Sequence, residues 1–284
     1  MAYERRAADG VQYYPCRYGN SRLVFRGPKR RLGKNYVVAL GGTETFGKFV
    51  EHPFAECLEE RVGCPVVNLG VVNAGVDTLL GDRALLEIAA AADAAVVQLP
   101  SADHLSNRYY RVHPRRNDRV LEVTPLMRET FPEIDFAEYV FTRHMLFDLL
   151  ATDAKRFAII RAELRDTWVR RMQLLCKRVS VPVLLFWLRT GRVAEEFRGL
   201  SLGRRPLFVD RELVDRLAGP GRKIVRVDVL DGLGPDAGDE CLVDDLDAAA
   251  ATNFPGASAH RQIARMLAPE LLQLLRAEHQ SEGR

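Results

Sequence analysis

The chain has 284 residues, of which 47% are hydrophobic and 28% charged, and a formal net charge of +3. That length suits one large α/β domain or two small ones and buries a core without disulfide or metal staples, while so slight a net charge gives no case for nucleic acid as a partner. Five scattered cysteines without a CxxC pair read as free thiols, not a disulfide frame or zinc site; with no apolar leader and no membrane-length run, the expected location is the cytoplasm, away from membranes.

Residues 1–35 are polar and basic with interspersed tyrosines, which predicts an irregular arm packed on the rest, residues 36–284, by its aromatics. A β-branched run over about 36–41 predicts the first strand, ending in the glycine- and hydroxyl-rich GGTETFG (Gly41 to Gly47). Phe49, Phe54, Leu58 and Val62 have helical spacing, so a helix is expected over 48–62 with Gly63 as its C-cap. Pro65 to Gly70 reads as a second strand, Asp77 to Ala92 as a helix, and Ala94 to Leu99 as a third strand stopped by Pro100.

Residues 100–150 break this alternation. They are rich in arginine, histidine, proline and aromatics, and a connection of that length is usually functional or lid-like. Asp153 to Val179 then predicts one long amphipathic helix. Val181 to Leu188 is continuously apolar, as a central parallel strand should be. A short helix near 209–218, a fifth strand from Lys223 to Leu230 and a final helix over about 257–276 complete the chain. Five strands alternating with helices predict a three-layer α/β/α sandwich around a five-stranded parallel sheet. Such sheets place ligands at the carboxyl ends of their strands.

The densest polar constellation is SNRYYRVHPRRNDR, from Ser106 to Arg119. Guanidinium forks bind phosphate, sulfate or carboxylate, so Arg108, Arg115, Arg116 and Arg119 are candidate anion ligands. A solvated, internally paired basic loop explains the same residues. His113 lies within it, and Asp103 with His104 forms a candidate acid–base pair just after the third strand. Glu44 is a further candidate acid or base, and Thr45 reads as a helix N-cap. His144 reads as a structural helix residue. Asp228, Asp231, Asp236, Asp239, Glu240, Asp244, Asp245 and Asp247 make an acidic run without EF-hand spacing, better read as a solvated loop than as a metal site. Neither GxGxxG after the first strand nor a P-loop occurs, so no nucleotide cofactor is expected, and no nucleic-acid module is present.

The order of these blocks resembles the SGNH/GDSL hydrolase superfamily. VALGGTETFG stands where that family carries its GDS motif, and NLGVVNAG (Asn68 to Gly75) where it carries N-x-G…G. LPSADHLSNR occupies the place of GxND, and NFPGASAHRQIA has the cadence of the last block. The resemblance implies a flavodoxin-like sheet with a basic insert after strand three. It also implies a nucleophile at Thr43 preceded by Gly42, and oxyanion donors at Asn73 with Gly75 close by. The family's oxyanion asparagine falls on Ala102, its histidine on Phe254 and its aspartate on Ala251, so the usual triad is replaced. His260 matches a later histidine of the block, and with His104 and His113 it is a candidate replacement base. The whole chain also resembles a proteobacterial family of unknown function through GGTETFG, the NRYY segment and FTRHML. Two activities follow as expectations: a divergent hydrolase or group transferase acting on an anionic or glycan-type small molecule, or a binding protein for a saccharide or a phosphate- or sulfate-bearing ligand.

Overall fold

The computed structural model describes residues 11–190, 201–229, 234 and 250–282. The central sheet takes four strands from largely apolar, buried runs, β1 (Val37–Gly41), β2 (Val66–Gly70), β3 (Ala94–Gln98) and β6 (Val183–Thr190), and its edge strand β7 (Arg222–Val229) from a mixed apolar and charged run. They pair in the order β2-β1-β3-β6-β7, all parallel. Between them, β4 (Tyr110–His113) and β5 (Arg116–Val123) form a separate antiparallel hairpin.

Alternation along β1 divides the core. Val37 and Ala39 pack with Phe54, Leu58, Ile263 and Leu267 on one face of the sheet. These come from α2 (Phe54–Val62) and the final helix α9 (Ala257–Glu282). Val38 and Leu40 pack on the other face with Leu79, Leu85, Trp168 and Met172, from α3 (Val76–Gly81), α4 (Arg83–Ala90) and α7 (Ala154–Val179). The result is the expected α/β/α sandwich. The chain runs from β1 outward to β2, then crosses back to β3 on the other side of β1. The carboxyl ends of β1 and β3 therefore flank a topological switch point, where open parallel sheets leave a crevice.

Several boundaries differ from the periodicity. The helix expected over 48–62 starts only at Phe54, as α2, and a separate single turn, α1 (Thr43–Phe46), precedes the expected span. Pro53 is the N-cap of α2, and Phe49 has a left-handed φ of 72° that no helix accommodates. The buried Arg26 guanidinium holds the intervening loop, donating to the carbonyls of Gly47 at 2.6 Å and Glu51. The helix expected from Asp77 to Ala92 is broken at Asp82, whose carboxylate caps α4 by accepting from the Leu85 N–H at 2.9 Å. The short helix near 209–218 contracts to α8 (Arg211–Asp215). Asp153 caps α7 through the N–H groups of Lys155 and Arg156.

The 100–150 segment is ordered structure: the hairpin, α5 (Pro125–Thr130), a 3-10 turn and α6 (Thr142–Thr152). Among the described residues of the arm, Tyr18 and Phe25 are buried with their ring centroids 5.8 Å apart. No helix among the described residues is long and apolar enough to cross a membrane.

Candidate functional site

The switch point opens into a narrow cleft of about 80 Å³. Gly42, Thr43 and Glu44 reach it from the end of β1, Asn73 from the loop after β2, and Gln98, Ser101 and His104 from the end of β3. Thr190, Arg205, Asn253 and Phe254 close the far side. Pockets that enclose drug-sized ligands measure roughly 300–1,000 Å³, so this cleft accommodates one functional group or ring edge.

Its polar groups are tied to one another. The Thr43 hydroxyl accepts from the Asn73 N–H at 2.9 Å and donates to Asn73 Oδ1 at 3.3 Å. Gln98 Oε1 accepts from the Thr45 hydroxyl at 2.6 Å and the Gly42 N–H at 3.3 Å, while its Nε2 donates to Glu44 Oε2 at 3.0 Å. Thr45 is thus a sheet-facing anchor inside α1 and not the N-cap expected; Gly42 takes that place. The close seat of α1 needs Gly70, where a Cβ would stand 2.3 Å from the Phe46 nitrogen.

Behind the cleft, Asp103 is buried and accepts from the Thr142 hydroxyl at 3.1 Å, while His104 Nε2 lies 3.4 Å from the same oxygen. The sequential Asp-His pair therefore meets side chain to side chain. Burial pushes the Asp118 carboxyl above its ordinary value, against the opposing charges of His104, Arg119 and Arg116. The approach of His104 depends on Gly75, where a Cβ would come 2.1 Å from the His104 carbonyl oxygen.

Asn117 locks the hairpin onto this region and is fully buried. Its Oδ1 accepts from the N–H groups of Gly75 and Thr78 and from the Thr78 hydroxyl, all within 3.0 Å, capping α3 from outside the helix. Its own N–H donates to the Asn73 carbonyl at 2.9 Å.

Of the residues expected at the site, Gly42, Thr43, Asn73 and His104 line the cleft, and Asp103 supports it from behind. The others are placed differently. The Gly75 N–H is committed to Asn117, and the Asn73 N–H points at Thr43, so neither is a free oxyanion donor. His260 is buried away from the cleft, where its Nδ1 accepts from the Phe54 N–H at 2.9 Å at the start of α2. Burial, with the Arg26 guanidinium adding to it, lowers its pKa to about 3, so it is a neutral structural imidazole. His113 Nδ1 accepts from the Arg115 N–H within the hairpin turn. Arg108 pairs with Glu163 on α7 at 3.1 Å, and Arg119 lies over the Phe141 ring at 5.3 Å. Arg115 sits in the hairpin turn and Arg116 opens β5, and neither is among the cleft-lining residues. The arginine cluster and the Thr43 cleft are therefore separate features. His144 is exposed on α6 with its ring edge against Phe141.

Sequence reasoning missed Gln98, Arg205 and the clamp made by Asn117. A polar Gln98 closing the otherwise apolar AAVVQ strand was the available signal. Arg205 carried none, standing in a basic loop among other arginines. Of the acidic run, Asp228 pairs with Arg226 at 2.7 Å and Arg189 at 3.5 Å; the positions from Asp231 to Asp247 lie outside the described residues. The thiols of Cys16, Cys57, Cys64 and Cys176 are free, and Cys241 lies outside the described residues.

Among solved structures, the chain is similar to the lipase Lip_vut3 from a goat rumen metagenome, at 13% identity and a TM-score of 0.37, covering 86% of this chain and 97% of that one. It is also similar to a protein described as a GDSL-like lipase from Bacteroides ovatus, at 12% identity and a TM-score of 0.39, covering 89% of this chain and 56% of that one. No curated protein matches it in sequence. The family described as Domain of unknown function (DUF6473) matches over residues 1–275, and the chain belongs to that family.

Proposed function

We propose that this protein binds a small polyhydroxylated, saccharide-type ligand by one ring edge in the switch-point cleft, with Thr43 as a contact and not a nucleophile. The observation that carries this reading is the reciprocal pair between Thr43 and Asn73. Acyl transfer through a hydroxyl needs a base bonded to it and unspent donors facing the developing oxyanion. Here the hydroxyl is bonded to an amide on both sides, and the N–H groups of Gly42, Asn73 and Gly75 already have acceptors. What the cleft offers is planar polar side chains, Glu44, Asn73, Gln98 and Arg205, beside the Phe254 ring. Amide, carboxylate and guanidinium planes suit vicinal hydroxyls, and an aromatic face suits the apolar side of a sugar ring. The Arg205 guanidinium also favours a ligand bearing a negative group.

A second reading, hydrolysis or group transfer, draws on one observation: His104 lines the same cleft and has a carboxylate partner in Asp103. There His104 would take a proton from a bound hydroxyl or water, with Asp103 orienting the ring. One experiment separates the two. Mono- and disaccharides, neutral and acidic, are screened by thermal shift and calorimetry alongside p-nitrophenyl and sugar esters. The binding reading expects a saccharide that raises the melting temperature, an effect lost in Asn73→Ala and Gln98→Ala, with no ester turnover. Turnover that vanishes in His104→Gln, or in Thr43→Ala, replaces it with the second reading.

A further inference from the structure

A second depression, independent of the Thr43 cleft, lies between the start of β4 and helix α7. It measures about 630 Å³ and is lined by Arg108 and Arg111 from the hairpin side, Arg170 and Arg171 from α7, and the carboxylates of Asp77 and Glu163. Counting Glu122, which pairs with Arg111 at the rim, four guanidiniums stand against three carboxylates, a small excess of positive charge. That volume falls within the roughly 300–1,000 Å³ of small-molecule sites.

The way these arginines are paired matters more than their number. Arg108 meets Glu163 through Nε at 3.1 Å, Arg111 meets Glu122 through Nε at 3.2 Å, and Arg171 meets Asp77 through Nε at 3.5 Å. These are ion pairs nearest through Nε without hydrogen-bond alignment, and Asp77 Oδ1 has no hydrogen-bond partner among the described residues. The terminal Nη groups of Arg108, Arg111 and Arg171 make no hydrogen bond among the described residues. Glu163 and Asp77 are themselves anchored. Glu163 accepts from the Thr167 hydroxyl at 3.0 Å, and Asp77 Oδ2 accepts from the Ser106 N–H at 2.7 Å. The Asp77 and Glu163 side chains are only 16% and 11% exposed, whereas those of Arg108 and Arg111 are each 66% exposed. Two largely buried carboxylates, Glu163 and Asp77, thus stand against Arg108 and Arg171, Arg111 pairs with the 57% exposed Glu122, and all three guanidiniums remain partly open to solvent. A guanidinium fork binds a tetrahedral oxyanion through two parallel N–H bonds.

We propose that this groove is a ligand site for a small phosphate or sulfate monoester, held by the terminal nitrogens of Arg108, Arg111 and Arg171. The source of the oxyanion is decided by comparing glucose 6-phosphate, glucose 6-sulfate, inorganic phosphate, inorganic sulfate and neutral glucose. Each is titrated calorimetrically into the full chain at constant ionic strength set with chloride. Expected is saturable binding of at least one monoester, weakened tenfold or more in Arg108→Gln and in Arg111→Gln, and retained in the Arg115→Gln plus Arg116→Gln double variant. Both tested arginines are exposed, and Glu163 keeps Arg170 nearby at 3.9 Å, so neither substitution strands a buried charge. Equal binding of neutral glucose, no binding beyond the chloride control, or affinity unchanged in Arg108→Gln and Arg111→Gln would overturn the proposal. So would heparin or RNA binding through Arg115 and Arg116 with no monoester binding.

Discussion

Thr43 and Asn73 hold each other at both ends of one hydroxyl: the Asn73 N–H donates to it at 2.9 Å and Asn73 Oδ1 accepts its proton at 3.3 Å. Asn73 manages this from a left-handed backbone with φ of 60°, a conformation asparagine tolerates better than most residues. The pair joins the loops after β1 and β2 across the mouth of the cleft. It also takes the hydroxyl and the N–H that a hydrolytic site would keep free.

Thr43→Ala leaves the Asn73 N–H without its acceptor. The expected cost is about 1–3 kcal/mol of unfolding free energy in urea titration. Thr43→Ser keeps the hydroxyl and should stay within about 1 kcal/mol of the wild type. A threonine whose hydroxyl were irrelevant to the loop would show no difference between the two variants.

Asn117→Ala removes one acceptor serving three donors, the N–H groups of Gly75 and Thr78 and the Thr78 hydroxyl. A loss of about 2–5 kcal/mol is expected, since each buried donor left unpaired costs on the order of 1–3 kcal/mol. Hydrogen exchange should quicken first at Gly75 and Thr78. Unchanged exchange there would mean the hairpin is held by other contacts.

The buried His260 makes stability depend on pH in a fixed direction. Unfolded, the imidazole takes up a proton near its ordinary 6.5; folded, it resists until about 3. Falling pH therefore draws the chain toward the unfolded state, and this contribution is fully present above 6.5 and is lost between those two values. Relative to His260→Gln, which can still accept from Phe54, the wild type should lose about 1.4 kcal/mol per pH unit below 6.5. Parallel stability curves for the two proteins from pH 7 to pH 4 would contradict a neutral buried imidazole.

Gly75→Ala tests how tightly His104 is seated. The new methyl would meet the His104 carbonyl at 2.1 Å and the Asn117 amide oxygen at 2.9 Å. Backbone has to move, which should cost about 2 kcal/mol or more. Saccharide binding in the cleft should weaken at the same time. Full stability with full binding would show that the loop gives way elsewhere.

The apolar runs at Val37, Val66, Ala94 and Val183 announced a buried parallel sheet, because strand burial leaves a local record in side-chain type. The alternation of strands and helices carried the layer order, and the glycine-rich end of β1 marked the ligand edge. Helix ends were less legible. Phe49 continued the apolar period of a helix while the arm, through Arg26, held its loop in another conformation.

Which polar groups share the cleft was decided only by the tertiary structure. Thr43 and Asn73 stand far apart in the chain, and nothing near either of them names its partner. His260 carries the same imidazole as His104, yet one lies in the core at the start of α2 and the other lines the cleft. The arginines from Arg108 to Arg119 are contiguous in sequence, but the hairpin turns them to different surroundings and Glu163 of α7 pairs with Arg108. The physical reason is range: hydrophobic period is set by neighbours along the chain, whereas a hydrogen bond or ion pair is chosen from whatever the packed elements bring within about 3 Å.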